Sequence, residues 1–128
     1  MGLNSAWEKV KTFHETFDSP VGKEPSMVGQ ERAEARASWM REEVQEFLDS
    51  RNVYDQADAM IDLIYFALGT LVEMGIPPEG LFDAVQEANM NKLWPDGKPR
   101  FREDGKIIKP EGWRPPEPEL KKIIDEMA

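Results

Sequence analysis

Apolar residues recur at intervals of three and four along most of this chain, the mark of helices with one buried side. Trp7, Val10, Phe13 and Phe17 set out a first helix over residues 5–17, with Asn4 or Ser5 placed to cap it. A loop containing Pro20, Gly22 and Pro25 follows. Ala33, Ala37, Met40, Val44, Phe47 and Leu48 then give a second helix, 30–49, its apolar face. A third helix runs over 53–74, stopped by Gly75 and Pro77. A fourth opens at Pro78, a favoured first-turn position, and runs to 93 with Leu81, Val85 and Ala88 inward. Beyond it the pattern changes: six of the ten prolines lie between Pro95 and Pro118. Asp104-Gly105, flanked by Phe101-Arg102-Glu103 and Lys106-Ile107-Ile108, predicts a two-residue hairpin, and 119–127 a short closing helix. The expected architecture is all-α. A four-helix domain covers 1–93, and a Pro-rich tail over 94–128 packs on that domain or on a partner subunit.

Composition narrows the chemistry. The 128 residues fit one domain, and 40% hydrophobic against 32% charged residues read as globular. The absence of cysteine excludes disulfides, thiolate metal sites and cysteine nucleophiles. His14 is the only histidine, which excludes a multi-histidine zinc site; a structural or pocket-edge hydrogen bond is its expected role. A net charge of −9 argues against a nucleic-acid polymer as partner. No apolar run approaches the ~18 residues of a membrane span, and the amphipathic first residues are not a secretory signal. A cytoplasmic protein with no membrane partner is expected.

The charge is unevenly spread. Between Arg51 and Lys92 there is no Lys, Arg or His, while Asp55, Asp58, Asp62, Glu73, Glu79, Asp83 and Glu87 all fall there. At about 100° per residue, Asp55, Asp58, Asp62, Tyr65 and Gly69 share one stripe of the third helix, roughly 80° wide. The other directions are filled by side chains such as Ile61, Leu63, Ile64, Phe66 and Leu68, so the helix is expected to be buried nearly all round. Burying unpaired carboxylates costs several kcal/mol. A hard divalent cation offsets that cost, and so does pairing with Arg or Lys from another helix.

The second helix supplies a complement. Glu42, Glu43 and Glu46 lie three and four residues apart on a common face. Two adjacent helices that each offer carboxylates can build an oxygen cage for Mg²⁺, with Mn²⁺ as a substitute. Mg²⁺ keeps waters and recruits phosphates, which suits a nucleotide. Arg36, Asn89, Asn91 and Lys92 are the candidate phosphate-side groups.

At these residues the chain resembles the all-α nucleoside triphosphate pyrophosphohydrolases, the MazG-like and phosphoribosyl-ATP-pyrophosphatase-like superfamily. That family carries EExxE on one helix and ExxD on the next. EEVQE, from Glu42 to Glu46, matches outright, and DQAD, from Asp55 to Asp58, matches with Asp in place of the first Glu. Further similarity lies in FHE (13–15), ADAMIDLIYFALGT (57–70), ANMNKL (88–93) and KPRFREDGKIIKPEGW in the tail. The resemblance implies a MazG-like bundle in which Glu43, Glu46, Asp55 and Asp58 bind Mg²⁺. It implies that Glu42 deprotonates the attacking water and that Asp62, Asn89 and Lys92 complete the phosphate site. Asp55 is a methylene shorter than the family's Glu, so its role passes through water or to Asp62. The implied reaction cleaves a nucleoside triphosphate between its α and β phosphates, giving monophosphate and pyrophosphate as nucleotide-pool house-cleaning. A homodimer or homotetramer is implied too. The competing expectations are a non-catalytic helical module that binds a nucleotide or a protein, and an acidic interaction protein with solvated charge.

Overall fold

The computed structural model describes residues 2–128. It is all-α: α1 is Leu3–Thr16, α2 Gln30–Asp49, α3 Val53–Met74, α4 Glu79–Met90 and α5 Glu117–Met127. The chain divides into two compact units. One extends to Pro78 and includes Met127–Ala128, and the other is Glu79–Glu126. No single helix among the described residues is long and apolar enough to cross a membrane.

In the first unit α3 packs against both α1 and α2. Its ends are fixed by local chemistry. The side chain of Asn52 accepts a hydrogen bond from the Asp55 N–H at 2.9 Å, and Gly75 closes the helix at φ +71°. A Cβ at Gly75 would stand 2.6 Å from the Glu24 carbonyl oxygen, so the position needs glycine on two counts. The 22–26 loop is tied to that same end, where Gly22 N–H donates to Val72 O and Ser26 N–H to Met74 O. The core is formed by Trp7, Val10, Leu68 and Val72, with Leu3, Ala6, Val21 and Leu71 around them. α1 starts earlier than its pattern suggested. Gly2, in extended backbone, precedes it, and no side chain caps it, so neither Asn4 nor Ser5 is the N-cap.

Two faces differ from expectation. α3 is not buried all round: it buries Ala59, Leu68, Gly69 and Val72, but Tyr54, Ile61 and Ile64 are 80%, 61% and 51% exposed. Its helical neighbours in this unit cover only part of its circumference. On α2 the apolar stripe predicted to face inward is largely open, with Ala33, Val44 and Leu48 exposed. The one buried residue of α2 is Arg36.

In the second unit α4 ends at Met90, short of 93, in a turn where Asn91 N–H reaches Glu87 O and Lys92 N–H reaches Asn89 O. Trp113 Nε1 donates to Ala88 O at 2.7 Å and fastens the tail to α4. A turn forms here, but its loop is the three residues 103–105 rather than two, with Arg102 N–H donating to Lys106 O, and among the described residues the pairing is one antiparallel bridge, Phe101 to Ile107. α5 begins at Glu117, two residues earlier than predicted.

Candidate metal centre

α2 and α3 meet along a ladder of matched steps. Arg32 faces Glu73, with Nη2 to Oε2 at 2.8 Å. Four residues on, Arg36 lies over Gly69, where a Cβ would stand 2.5 Å from its Nη2. Three residues further, the Trp39 and Phe66 rings are 6.0 Å apart. Four more bring Glu43 to Asp62. Steps of four, three and four along one helix and back along the other are the spacing of an antiparallel helical seam. The upper rungs hold a bound arginine pair, while the last rung holds two carboxylates.

Glu46, one step beyond Glu43, joins that last rung. One oxygen each from Glu43, Glu46 and Asp62 lie within 4.8 Å of one another. None of the ion pairs among the described residues reaches these groups. Glu43 Oε2 is buried with no hydrogen-bond partner. Burial pushes the Glu43 carboxyl up to about 7, helped by the close approach of the Glu46 carboxylate and by the charges of Asp62 and Asp58. Asp62 is raised as well, first by burial and then by Asp58 and Glu46. A convergent all-oxygen donor set with an orphaned acceptor is what a hard divalent cation such as Mg²⁺ or Mn²⁺ fits.

The remaining predicted acids stand around this cluster. Glu46, Asp55 and Asp58 line a cleft of about 350 Å³ together with Asp49 and Ser50. Asp55 also supports the start of α3, since its Oδ2 accepts a hydrogen bond from Asn52 Nδ2 at 2.9 Å. Ser50, which the sequence does not single out as a site residue, donates its hydroxyl to Glu46 O at 2.7 Å and is part of the cleft wall. Glu42 is exposed on α2 beside Glu43.

The sequence of residues 10–89 matches the phosphoribosyl-ATP pyrophosphohydrolase family, and that span contains the whole ladder. The chain belongs to this family. Curated proteins give no match. Among solved structures, a proposed NTP pyrophosphohydrolase from Exiguobacterium sp. 255-15 is 34% identical, with 95% of each chain covered and a TM-score of 0.52.

Within this pyrophosphohydrolase-family chain, the other candidates fall in two groups. Asn89 and Lys92 belong to the second unit, where both line a small hollow with Pro99 and Ile107. The Lys92 ammonium sits 5.4 Å over the Trp113 ring. Arg36 is not a free phosphate-side base. It is held by Glu73, Thr70 and the Phe66 carbonyl, and only 4% of it is exposed. Nothing local in the sequence announces this, because the partners lie thirty and more residues away. His14 takes its expected structural role, its Nδ1 lying 2.7 Å from Pro20 O.

Proposed function

We propose that this chain is a divalent-metal-dependent nucleoside triphosphate pyrophosphohydrolase that cleaves between the α and β phosphates. The observation that carries this reading is the convergence of Glu43, Glu46 and Asp62 on the α2–α3 seam, in a chain of the pyrophosphohydrolase family. Glu43, Glu46, Asp58 and Asp62 hold Mg²⁺, or Mn²⁺ in its place, and Asp55 contributes from the edge of the cleft. The ion neutralises phosphate charge and lowers the pKa of bound water. Glu42 takes the proton of the water that attacks the α phosphorus. The bond from that phosphorus to the α–β bridging oxygen breaks, and pyrophosphate leaves with that oxygen. Within the second unit, Asn89 and Lys92 are the candidate phosphate-binding groups. The exposed apolar side chains Ile61 and Ile64 on α3 support a homo-oligomer.

The test is a panel of canonical and modified nucleotides, scored for monophosphate and pyrophosphate with and without Mg²⁺. Paired release that needs Mg²⁺ and disappears in Glu46→Ala is expected. Release of orthophosphate alone would assign a different phosphohydrolase chemistry.

A further inference from the structure

The α2–α3 ladder is electrostatically lopsided. Its last rung sets Glu43 and Glu46 against Asp62, so that rung alone favours separation. Sliding one helix along the other by a turn, about 5.4 Å, would part these carboxylates and relieve their repulsion. The opposing hold lies two turns away at Arg36. Its Nε donates to Thr70 Oγ1 at 2.8 Å, its Nη1 to Glu73 Oε2, and its Nη2 to Phe66 O at 3.2 Å. One guanidinium thus spans Phe66 to Glu73 on α3. It occupies the space that Gly69 leaves, and it lies near the Trp39 and Phe66 rings, with Cζ 5.4 and 5.9 Å from their centroids. A side chain with partners on successive turns has one position in which all are met, and a buried polar group of this kind specifies register.

We propose that Arg36 is a positioning residue for the carboxylate cluster: with Gly69 and Glu73 it fixes the α2–α3 register that keeps Glu43 and Glu46 opposite Asp62. This rests on the metal-site reading above.

The chain has no cysteine, so spin labels can be placed at will. Glu34→Cys and Tyr54→Cys put labels on exposed positions of α2 and α3, on the order of 25 Å apart along the pair. Diluting the labelled protein with unlabelled chain isolates the intramolecular distance. In that background, Arg36→Gln and Gly69→Ala are expected to broaden or shift the label distance on the scale of one turn. Mn²⁺ affinity, measured by calorimetry, should fall at least about tenfold, the order expected for loss of an outer-shell partner. Gly69→Ala is informative because it raises helix propensity while crowding Arg36 Nη2 at 2.5 Å, and His14 Nε2 at 2.9 Å, for which His14→Ala is the control. Arg36→Lys, which keeps the charge for Glu73, should recover part of the affinity. Should Arg36→Gln not fold, Gly69→Ala and Arg36→Lys carry the test. Weaker metal binding with an unchanged label distance would overturn the proposal, and so would unchanged metal binding. A parent protein that binds no Mn²⁺ removes the metal site itself, and with it the positioning role. That failure is distinguishable because the label distances still report whether the register depends on Arg36.

Discussion

Glu73, one residue from the end of α3, binds Arg32 and Arg36 of α2 at once, the latter through a contact of 2.5 Å that is almost wholly out of water. Removing one member of a buried ion pair leaves the other stranded, which costs about 3–5 kcal/mol. Glu73→Ala is therefore expected to lower unfolding free energy by that order in urea titrations. Lys121→Ala, which breaks an exposed pair with Asp125, should leave it nearly unchanged.

The same pair sets an acid limit. Burial works against the Glu73 charge, but hydrogen bonds and charge from Arg32 and Arg36 outweigh it and hold the carboxyl below its ordinary value. A depressed carboxylate contributes stability above the unfolded-state pKa and loses it as pH falls through the folded-state value. Thermal melts from pH 6 downward should show this loss in the parent and not in Glu73→Gln.

Glu43 has the opposite sign. Its carboxyl is raised from 4.5 to about 7, so the metal-free folded protein holds a proton there that the unfolded chain has released. Between those values this group's contribution to stability declines as pH rises. Divalent-ion binding must displace that proton, so Mn²⁺ affinity should climb with pH through about 7 and then level off. Calorimetry across this range checks the slope, and Glu43→Gln should flatten it.

Asp62 and Asp55 are expected to behave differently. Asp62 belongs to the converging oxygens, whereas Asp55 spends Oδ2 on Asn52 at the helix start. Asp62→Asn should weaken Mn²⁺ by at least about tenfold, more than Asp55→Asn does. Asp55→Ala should instead show in the melting temperature, through loss of helix-start contacts worth roughly 1 kcal/mol. A larger metal effect at Asp55 than at Asp62 would contradict this assignment.

The open apolar side of α3 bears on assembly. Ile61 and Ile64 are more than half exposed, and a lone chain has a mass of 14.7 kDa. Light scattering after gel filtration should give a multiple of that mass for the parent. It should give the single-chain mass for Ile61→Lys with Ile64→Glu.

Much of this was legible in the residues. The bounds of α2 and α3 follow from their periodicity and the Gly75 stop, both local signals; the Asn52 cap was a further local signal that the pattern of apolar positions does not contain. The spacing of Glu43 and Glu46 and the stripe through Asp62 are the local signals behind the approach of these three carboxylates, while Asp55 and Asp58, read as metal ligands, stand outside that trio. The inward face of α2 was not legible. Its period points Ala33, Val44 and Leu48 at a core, yet the face that is used carries Arg32, Arg36, Trp39 and Glu43. Burying Arg36 is tolerable only because Glu73 comes from a different helix, and no window of neighbouring residues contains that information. The open side of α3 has a similar cause, since apolar composition does not say how many neighbours a helix has.

α2 keeps its ladder residues and its exposed Leu48 on different sides. A lone thiol introduced at Leu48 would therefore give a single attachment point for a dye or a solid support, close to the cleft and clear of the rungs. The molecule could then report on its own ion and nucleotide occupancy through a probe that touches neither.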